Sequence, residues 1–255
     1  MKAHDLFDLT GETALVTGAS SGLGARFAET LAAHGARVVL AARRTDRLAA
    51  LAARIGPNAI SVALDVADRA MMPAAFDAAE AAFGTVTLLV NNAGISDDDR
   101  FLDTTDDQWD RTMATNVDGV WFMAREAARR MAKAGTGGTI INISSILGYR
   151  VSKASAPYCV SKAAVVQMTA ALALDLAKHK IRVNAIAPGY IMSEMTEAYL
   201  ASPASEASRN NIPMRMTGEP SDLDGALLLL ASRKAGRFMT GSTITVDGGH
   251  LTAFT

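Results

Sequence analysis

Short apolar runs recur along this chain, and after each of the early ones the apolar residues change spacing and return every third or fourth position. Residues 13 to 17 (Thr-Ala-Leu-Val-Thr) form the first run, closed by Gly18, and a helical pattern then extends from about residue 23 to 34 and stops at Gly35. The unit repeats with residues 38 to 40 and an alanine-rich helix reaching 54, then with residues 60 to 64 and a helix from 68 to 83. Residues 88 to 90 make a fourth run, followed by a polar loop at 96 to 100 and a long helical region from about 106 to 134. Residues 139 to 143, 182 to 186 and 243 to 246 are the remaining runs, with a helix before the sixth that continues to about residue 179. Continuously apolar runs belong to strands covered on both faces. The alternation predicts an α/β fold, a doubly wound seven-stranded parallel sheet with helices on both faces and ligands at the carboxyl ends of its strands.

One stretch breaks the rhythm. Residues 188 to 220 are rich in Met, Ser and Pro and too long for a plain connection, so a lid at about 189–219 is expected within a single domain spanning 1–255. With 255 residues and 49% hydrophobic content, the chain is long enough to bury one large core. A formal net charge of −1 provides no general attraction to nucleic acid or to an anionic membrane, which leaves small-molecule chemistry as the expectation. Cys159 is the only cysteine, so an intramolecular disulfide is excluded. The N-terminus has no apolar signal core, and no uninterrupted apolar run approaches the ~18 residues of a membrane span, so a cytoplasmic protein is expected.

Thr17-Gly18-Ala19-Ser20-Ser21-Gly22-Leu23-Gly24 joins the first strand to the first helix. Glycines there let backbone approach a pyrophosphate, whose charge is favoured by the free N–H groups at the helix start. The spacing is Gly-x-x-x-Gly-x-Gly rather than the commoner Gly-x-Gly-x-x-Gly. At the end of the second strand, where a carboxylate would accept the ribose 2′-OH of NAD, the chain has Arg43 and Arg44, with no acid before Asp46. An arginine pair suits a 2′-phosphate, so NADP(H) is favoured over NAD(H); the alternative is two solvated arginines at a helix start.

Tyr158-Cys159-Val160-Ser161-Lys162 puts a phenol and an ammonium one helical turn apart. A nearby positive charge stabilises phenolate, so a lowered tyrosine pKa and a proton donor and acceptor near neutral pH are expected. Chance would produce such a pair in roughly one chain in ten of this composition, so its meaning depends on its company.

That company resembles the short-chain dehydrogenase/reductase family over nearly the whole chain. The resemblance rests on Thr17-Gly18-x-x-x-Gly22-x-Gly24, Asp65-Val66, Asn91-Asn92-Ala93-Gly94, Asn116, Ser145, Tyr158-x-x-x-Lys162, Pro188-Gly189, Thr240-Gly241 and Val246-Asp247-Gly248-Gly249. It implies a Rossmann-like fold and carbonyl–alcohol interconversion with a nicotinamide cofactor held by the glycine turn from Gly18 through Ser20, Ser21, Gly22 and Leu23 to Gly24. Asp65 and Val66 would border the adenine, and Asn91, Ala93 and Gly94 would support the fourth strand's end and the cofactor backbone. Ser145 would hydrogen-bond the substrate oxygen, Tyr158 would be the acid or base, and Lys162 would bind the nicotinamide ribose and tune Tyr158. Asn116 would hold a water linked to Lys162. Beyond Pro188 and Gly189, Ile191 would contact the carboxamide, and Ser193 stands where the family commonly has threonine. The resemblance also implies a homotetramer, or a homodimer, formed through the long helices.

For the substrate, a small carbonyl compound or alcohol competes with a 3-oxoacyl thioester on acyl carrier protein or coenzyme A. The lid's Tyr190, Met192, Met195, Tyr199, Met214 and Met216 favour an apolar moiety or else pack the lid itself. Arg125, Arg129 and Lys133, with Arg130 beside them, form a basic stripe that would dock an acidic carrier or simply face solvent, while Asp97-Asp98-Asp99 opposes an anionic carrier at the site mouth. A reading from another class, an NADP sensor without chemistry, would be marked by loss of the tyrosine or lysine, and both are present.

Overall fold

The computed structural model describes residues 3–202 and 204–253; Met1 and Lys2 of the N-terminal reading and Pro203 of the expected lid lie outside the described residues. Seven strands, β1 Thr13–Thr17, β2 Arg37–Ala42, β3 Ala59–Ala63, β4 Leu88–Asn91, β5 Gly138–Ile143, β6 Ile181–Pro188 and β7 Thr243–Val246, form one sheet in the order β3-β2-β1-β4-β5-β6-β7. Every neighbouring pair is parallel, as the continuous apolar runs predict. The chain winds outward from β1 in one direction and from β4 in the other. The crevice between their carboxyl ends is therefore the switch point where an open parallel sheet accepts ligands.

The helices are α1 Ala3–Leu6, α2 Gly22–Ala33, α3 Thr45–Ile55, α4 Met71–Phe83, α5 Asp106–Met113, α6 Gly119–Ala134, α7 Ala156–Leu176, α8 Glu197–Leu200, α9 Ala204–Asn211 and α10 Asp224–Ala231. Side chains alternate across each strand, so neighbours serve different layers. Val38 and Leu40 pack with Phe27, Leu31, Leu48 and Leu227 on the face covered by α2, α3 and α10. Leu15 and Val39 pack with Met72, Phe76, Met123 and Met131 on the face covered by α4 and α6, where Ala173 of α7 joins them. All five residues of β1 are buried, and each large apolar side chain removed from water contributes roughly 2 kcal/mol.

Two elements differ from what the sequence pattern predicts. The single helix expected over 106 to 134 is interrupted by a π-helical turn, Ala114–Asp118. Helix α10 was covered by no predicted element, because Leu227 to Leu230 is an unbroken apolar run without helical spacing. Among the described residues one helical stretch, Ala156–His179, is long and apolar enough on length and composition to cross a bilayer. Here it packs on β6 and carries the buried Lys162, with 33% of its most apolar window buried.

Candidate active site

Loops at the carboxyl ends of β1 through β6 enclose a cleft of about 680 Å³, and α7 contributes its first turns. Of the residues expected to form the site, Gly18, Ser20, Ser21, Gly22, Leu23, Arg43, Arg44, Asp65, Val66, Ala93 and Gly94 line it. So do Ser145, Tyr158, Lys162, Pro188, Gly189, Ile191 and Ser193. Gly24, Asn91 and Asn116 stand behind the wall. A Cβ on Gly24 would lie 2.5 Å from Asn92 Nδ2, so that glycine is needed for packing the turn on β4. Gly22 differs: its φ is +52°, and a Cβ there would face only Ser193 at 3.5 Å, so this point is open toward the cleft. Ser21, the N-cap of α2, makes no side-chain cap, and the first N–H groups of a 12-residue helix face the same opening.

Asn92, the second residue of the Asn91-Asn92-Ala93-Gly94 motif, also lines the cleft. Its Nδ2 donates to Thr17 O at 3.0 Å, while Asn92 N and Ala93 N both donate to Thr17 Oγ1 at 3.0 Å. These bonds tie the glycine turn to the end of β4. Asn91 points inward instead and donates to Asn142 Oδ1 at 3.0 Å, so its contribution is to brace the sheet.

The chemistry-bearing side chains converge at the end of β5. Ser145 Oγ accepts from Leu147 N at 3.1 Å, capping a short turn, and Ser145 lines the cleft together with Tyr158. The two readings of this serine, turn cap and substrate contact, are thus compatible. Lys162 is 5% exposed and donates to Ile143 O at 2.9 Å; its ammonium lies 5.4 Å from the Tyr158 ring centroid. Burial pulls the Lys162 ammonium down to about 8. Burial likewise pushes the Tyr158 phenol up to about 12, against the opposing effect of the nearby Ser145 hydroxyl, with the Asp98 charge adding to the rise. The lowering of Tyr158 by Lys162 expected from spacing is therefore not met in this state. One helical turn brings the groups together, but the loss of water around the phenol outweighs a cation that is turned toward a carbonyl.

Asn116 sits in the π-turn, fully buried, and clamps the loop after β4. Its Oδ1 accepts from Ile95 N at 2.9 Å, while Nδ2 donates to Ile95 O at 2.9 Å and to Ser161 Oγ at 3.0 Å. Ser161 Oγ in turn donates to Tyr158 O at 2.7 Å. A wide helical turn at a site residue is a recurrent device, and here it directs an amide that an unbroken helix would aim elsewhere. A Cβ on Gly94 would lie 3.3 Å from Asn116 Oδ1 and 3.5 Å from Lys162 Nζ, so those two polar atoms face the same small space.

At the far wall the two arginines diverge. Arg43 is largely exposed and only loosely paired, 3.8 Å from Asp65. Arg44 donates through Nε to Ser20 Oγ at 3.1 Å, through Nη2 to Ser21 Oγ at 2.5 Å and through Nη1 to Glu194 at 3.1 Å. The donor set of glycine turn, helix start, serines and Arg44 fits a dinucleotide with an extra phosphate on its adenosine end.

Residues 18–250 match the family model described as enoyl-(acyl carrier protein) reductase. The chain belongs to the short-chain dehydrogenase/reductase family. It is an oxidoreductase acting on CH–OH groups, as the members it resembles are. Galactitol 2-dehydrogenase (L-tagatose-forming) of Cereibacter sphaeroides is 40% identical over 254 residues, covering 98% of this chain and 99% of the relative. The structure of a gluconate 5-dehydrogenase from Burkholderia cenocepacia, in complex with NADP and tartrate, is 36% identical with a TM-score of 0.95, covering 99% of this chain and 100% of that one. A 3-ketoacyl-(acyl-carrier-protein) reductase from Brucella melitensis, complexed with NADH, is 35% identical with a TM-score of 0.90, covering 96% and 100%.

Two sequence expectations for this dehydrogenase/reductase change shape in the fold. Arg130 is held by Asp77, Glu80 and Glu126, and α6 runs back along the sheet, so Arg129 and Lys133 sit near the start of β5, the end opposite the cleft. The basic stripe therefore does not guard the site mouth. Of the lid's methionines, Met195 lines the main cleft, whereas Met214 and Met216 line a separate cavity of about 250 Å³ with Tyr190. The base of that segment is pinned by Met192 N donating to Gly218 O at 2.8 Å and Gly218 N donating to Tyr190 O at 2.9 Å.

Proposed function

We propose that this enzyme interconverts a secondary alcohol and a carbonyl with NADP(H), with Tyr158 giving or taking the proton. The observation that carries the reading is that Ser145, Tyr158 and the buried Lys162 line the same cleft as the Arg44 cradle. Bound nicotinamide supplies or accepts the hydride; the protein handles the oxygen and its proton. In reduction, Ser145 and Tyr158 donate to the carbonyl oxygen, where negative charge grows, and the Tyr158 proton then passes to that oxygen. A phenol pushed up to about 12 keeps its proton until the substrate oxygen becomes the stronger base. In oxidation the proton passes the other way, from the substrate hydroxyl to Tyr158 as phenolate, a form that the Lys162 ammonium would support by turning from Ile143 O toward it. The space shared by Asn116 Oδ1 and Lys162 Nζ is the route by which a water would link Lys162 to solvent.

For the substrate, Asp98 adds negative charge near Tyr158, and Asp97 and Asp99 lie on the same loop. Asp97 is paired with Arg111, so Asp98 is the charge on this loop that favours a neutral, hydroxyl-rich substrate, such as a hexitol or ketose, over a 3-oxoacyl thioester on an acidic carrier. Reduced-nicotinamide absorbance with NADPH and NADH, against hexitols, ketoses, small and cyclic ketones and 3-oxoacyl thioesters, tests both parts. Turnover confined to thioesters would replace the substrate reading. Tyr158→Phe should cut turnover by about 10³-fold while leaving NADPH binding nearly intact; substantial residual turnover would remove Tyr158 as the proton carrier.

A cytoplasmic homotetramer or homodimer completes the proposal. Trp121 on α6 and Val160 and Leu174 on α7 leave apolar side chains on the two helices expected to pair. A monomer mass by light scattering would refute the assembly.

A further inference from the structure

Glu194 is not among the site residues expected from sequence, yet it fills the best-organised cation cluster on the cleft wall. Its Oε1 accepts from Arg47 Nη1 at 2.5 Å and its Oε2 from Arg44 Nη1 at 3.1 Å, while Ser21 Oγ accepts from the same Arg44. The same Arg44 is oriented by Ser20 and Ser21 through its other two nitrogens. Ser20 and Ser21 belong to the glycine turn, Arg44 and Arg47 to the start of α3, and Glu194 to the segment after β6, so three loops meet on one carboxylate. The two arginines hold the Glu194 carboxyl below its usual range, which keeps it an anion.

We infer that Glu194 is an internal anion occupying the place of the adenosine 2′-phosphate, so that a cofactor carrying this phosphate must displace it and release the 189–219 segment from α3. The inference rests on the proposed dinucleotide reading and adds a specificity-determining residue to it. A carboxylate presents two oxygens where a phosphate ester presents three and carries more charge, so phosphate wins the exchange on Arg44. Its advantage is reduced by the contacts that Glu194 gives up. NADH carries no group that competes for Arg44, so its binding leaves Glu194 in place.

The side chains of Glu194 and Arg44 are 50% and 43% exposed, so the exchange should be worth a modest factor, and substitution leaves the core untouched. The test is titration of the wild type, Glu194→Gln, Glu194→Asp and Arg44→Ala with NADPH and NADH, followed by the fluorescence of the bound reduced nicotinamide. Glu194→Gln should tighten NADPH about fivefold and shift NADH less than about twofold, with Glu194→Asp between it and the wild type. Equal shifts for both cofactors, or weaker NADPH binding, would overturn the inference. If Arg44→Ala weakens NADPH selectively while Glu194→Gln changes nothing, the cofactor reading stands and the role of Glu194 fails. If Arg44→Ala leaves NADPH unaffected, the phosphate lies elsewhere and the cofactor reading fails with it.

Discussion

Lys162 and Arg44 are two cations of one cleft, separated by the width of β1 and β4, and they are supported in opposite ways. Lys162 is buried, donates to the single carbonyl of Ile143, and is pulled down to about 8 by loss of water. Arg44 is 43% exposed and has every nitrogen engaged, on two serines and a carboxylate. The partner of the Lys162 ammonium is a main-chain carbonyl, which has one arrangement. Around Arg44 the partners are surface side chains that can exchange for another anion. The end proposed to hold the reacting groups is thus preorganised, and the end proposed to recognise the cofactor is exchangeable.

The largest effect that would test this contrast is at Asn116. Asn116→Ala removes three hydrogen bonds of a buried amide and leaves the Ile95 backbone unpaired, so it should lower unfolding stability by ~3 kcal/mol in urea titration, with turnover falling alongside. A loss below ~1 kcal/mol would show that the loop after β4 is held by other contacts. The next effect is on pH. Lys162 carries its charge below about 8 and loses it above, whereas Tyr158, at about 12, keeps its proton through the same range. Carbonyl reduction should therefore fall on the basic side near pH 8, by up to about tenfold per unit, and Lys162→Arg should move that limb upward where activity is retained. A limb unchanged in Lys162→Arg would assign it to another group. The smallest effect belongs to Arg43, whose ion pair with Asp65 is long and solvated: Arg43→Ala should change NADPH affinity by about twofold or less, far less than Arg44→Ala. Equal losses would mean that both arginines hold the phosphate.

Much of the fold was legible because its signals are local. The run at residues 13 to 17 coincides with β1, the run at 243 to 246 with β7, and the helix expected from residue 23 begins within one residue of α2. Most expected site residues do line one cleft, since turn glycines and strand-end polar residues are written in short motifs. Three features escaped for physical reasons. The π-turn at Asn116 has no composition of its own, α10 hides in an unbroken leucine run, and the Arg44–Glu194 pair joins residues 150 positions apart.

By itself the sequence determined the alternation of strands and helices, the glycine turn, and the one-turn spacing of Tyr158 and Lys162, because each depends on residues a few positions apart. Only the tertiary structure decided what those groups experience. It buried Lys162 and partly buried Tyr158, which pulls the ammonium down and pushes the phenol up. It also turned the α6 arginines away from the cleft and brought Glu194 to Arg44. Desolvation and long-range pairing depend on atoms supplied by distant segments, and no local pattern records them.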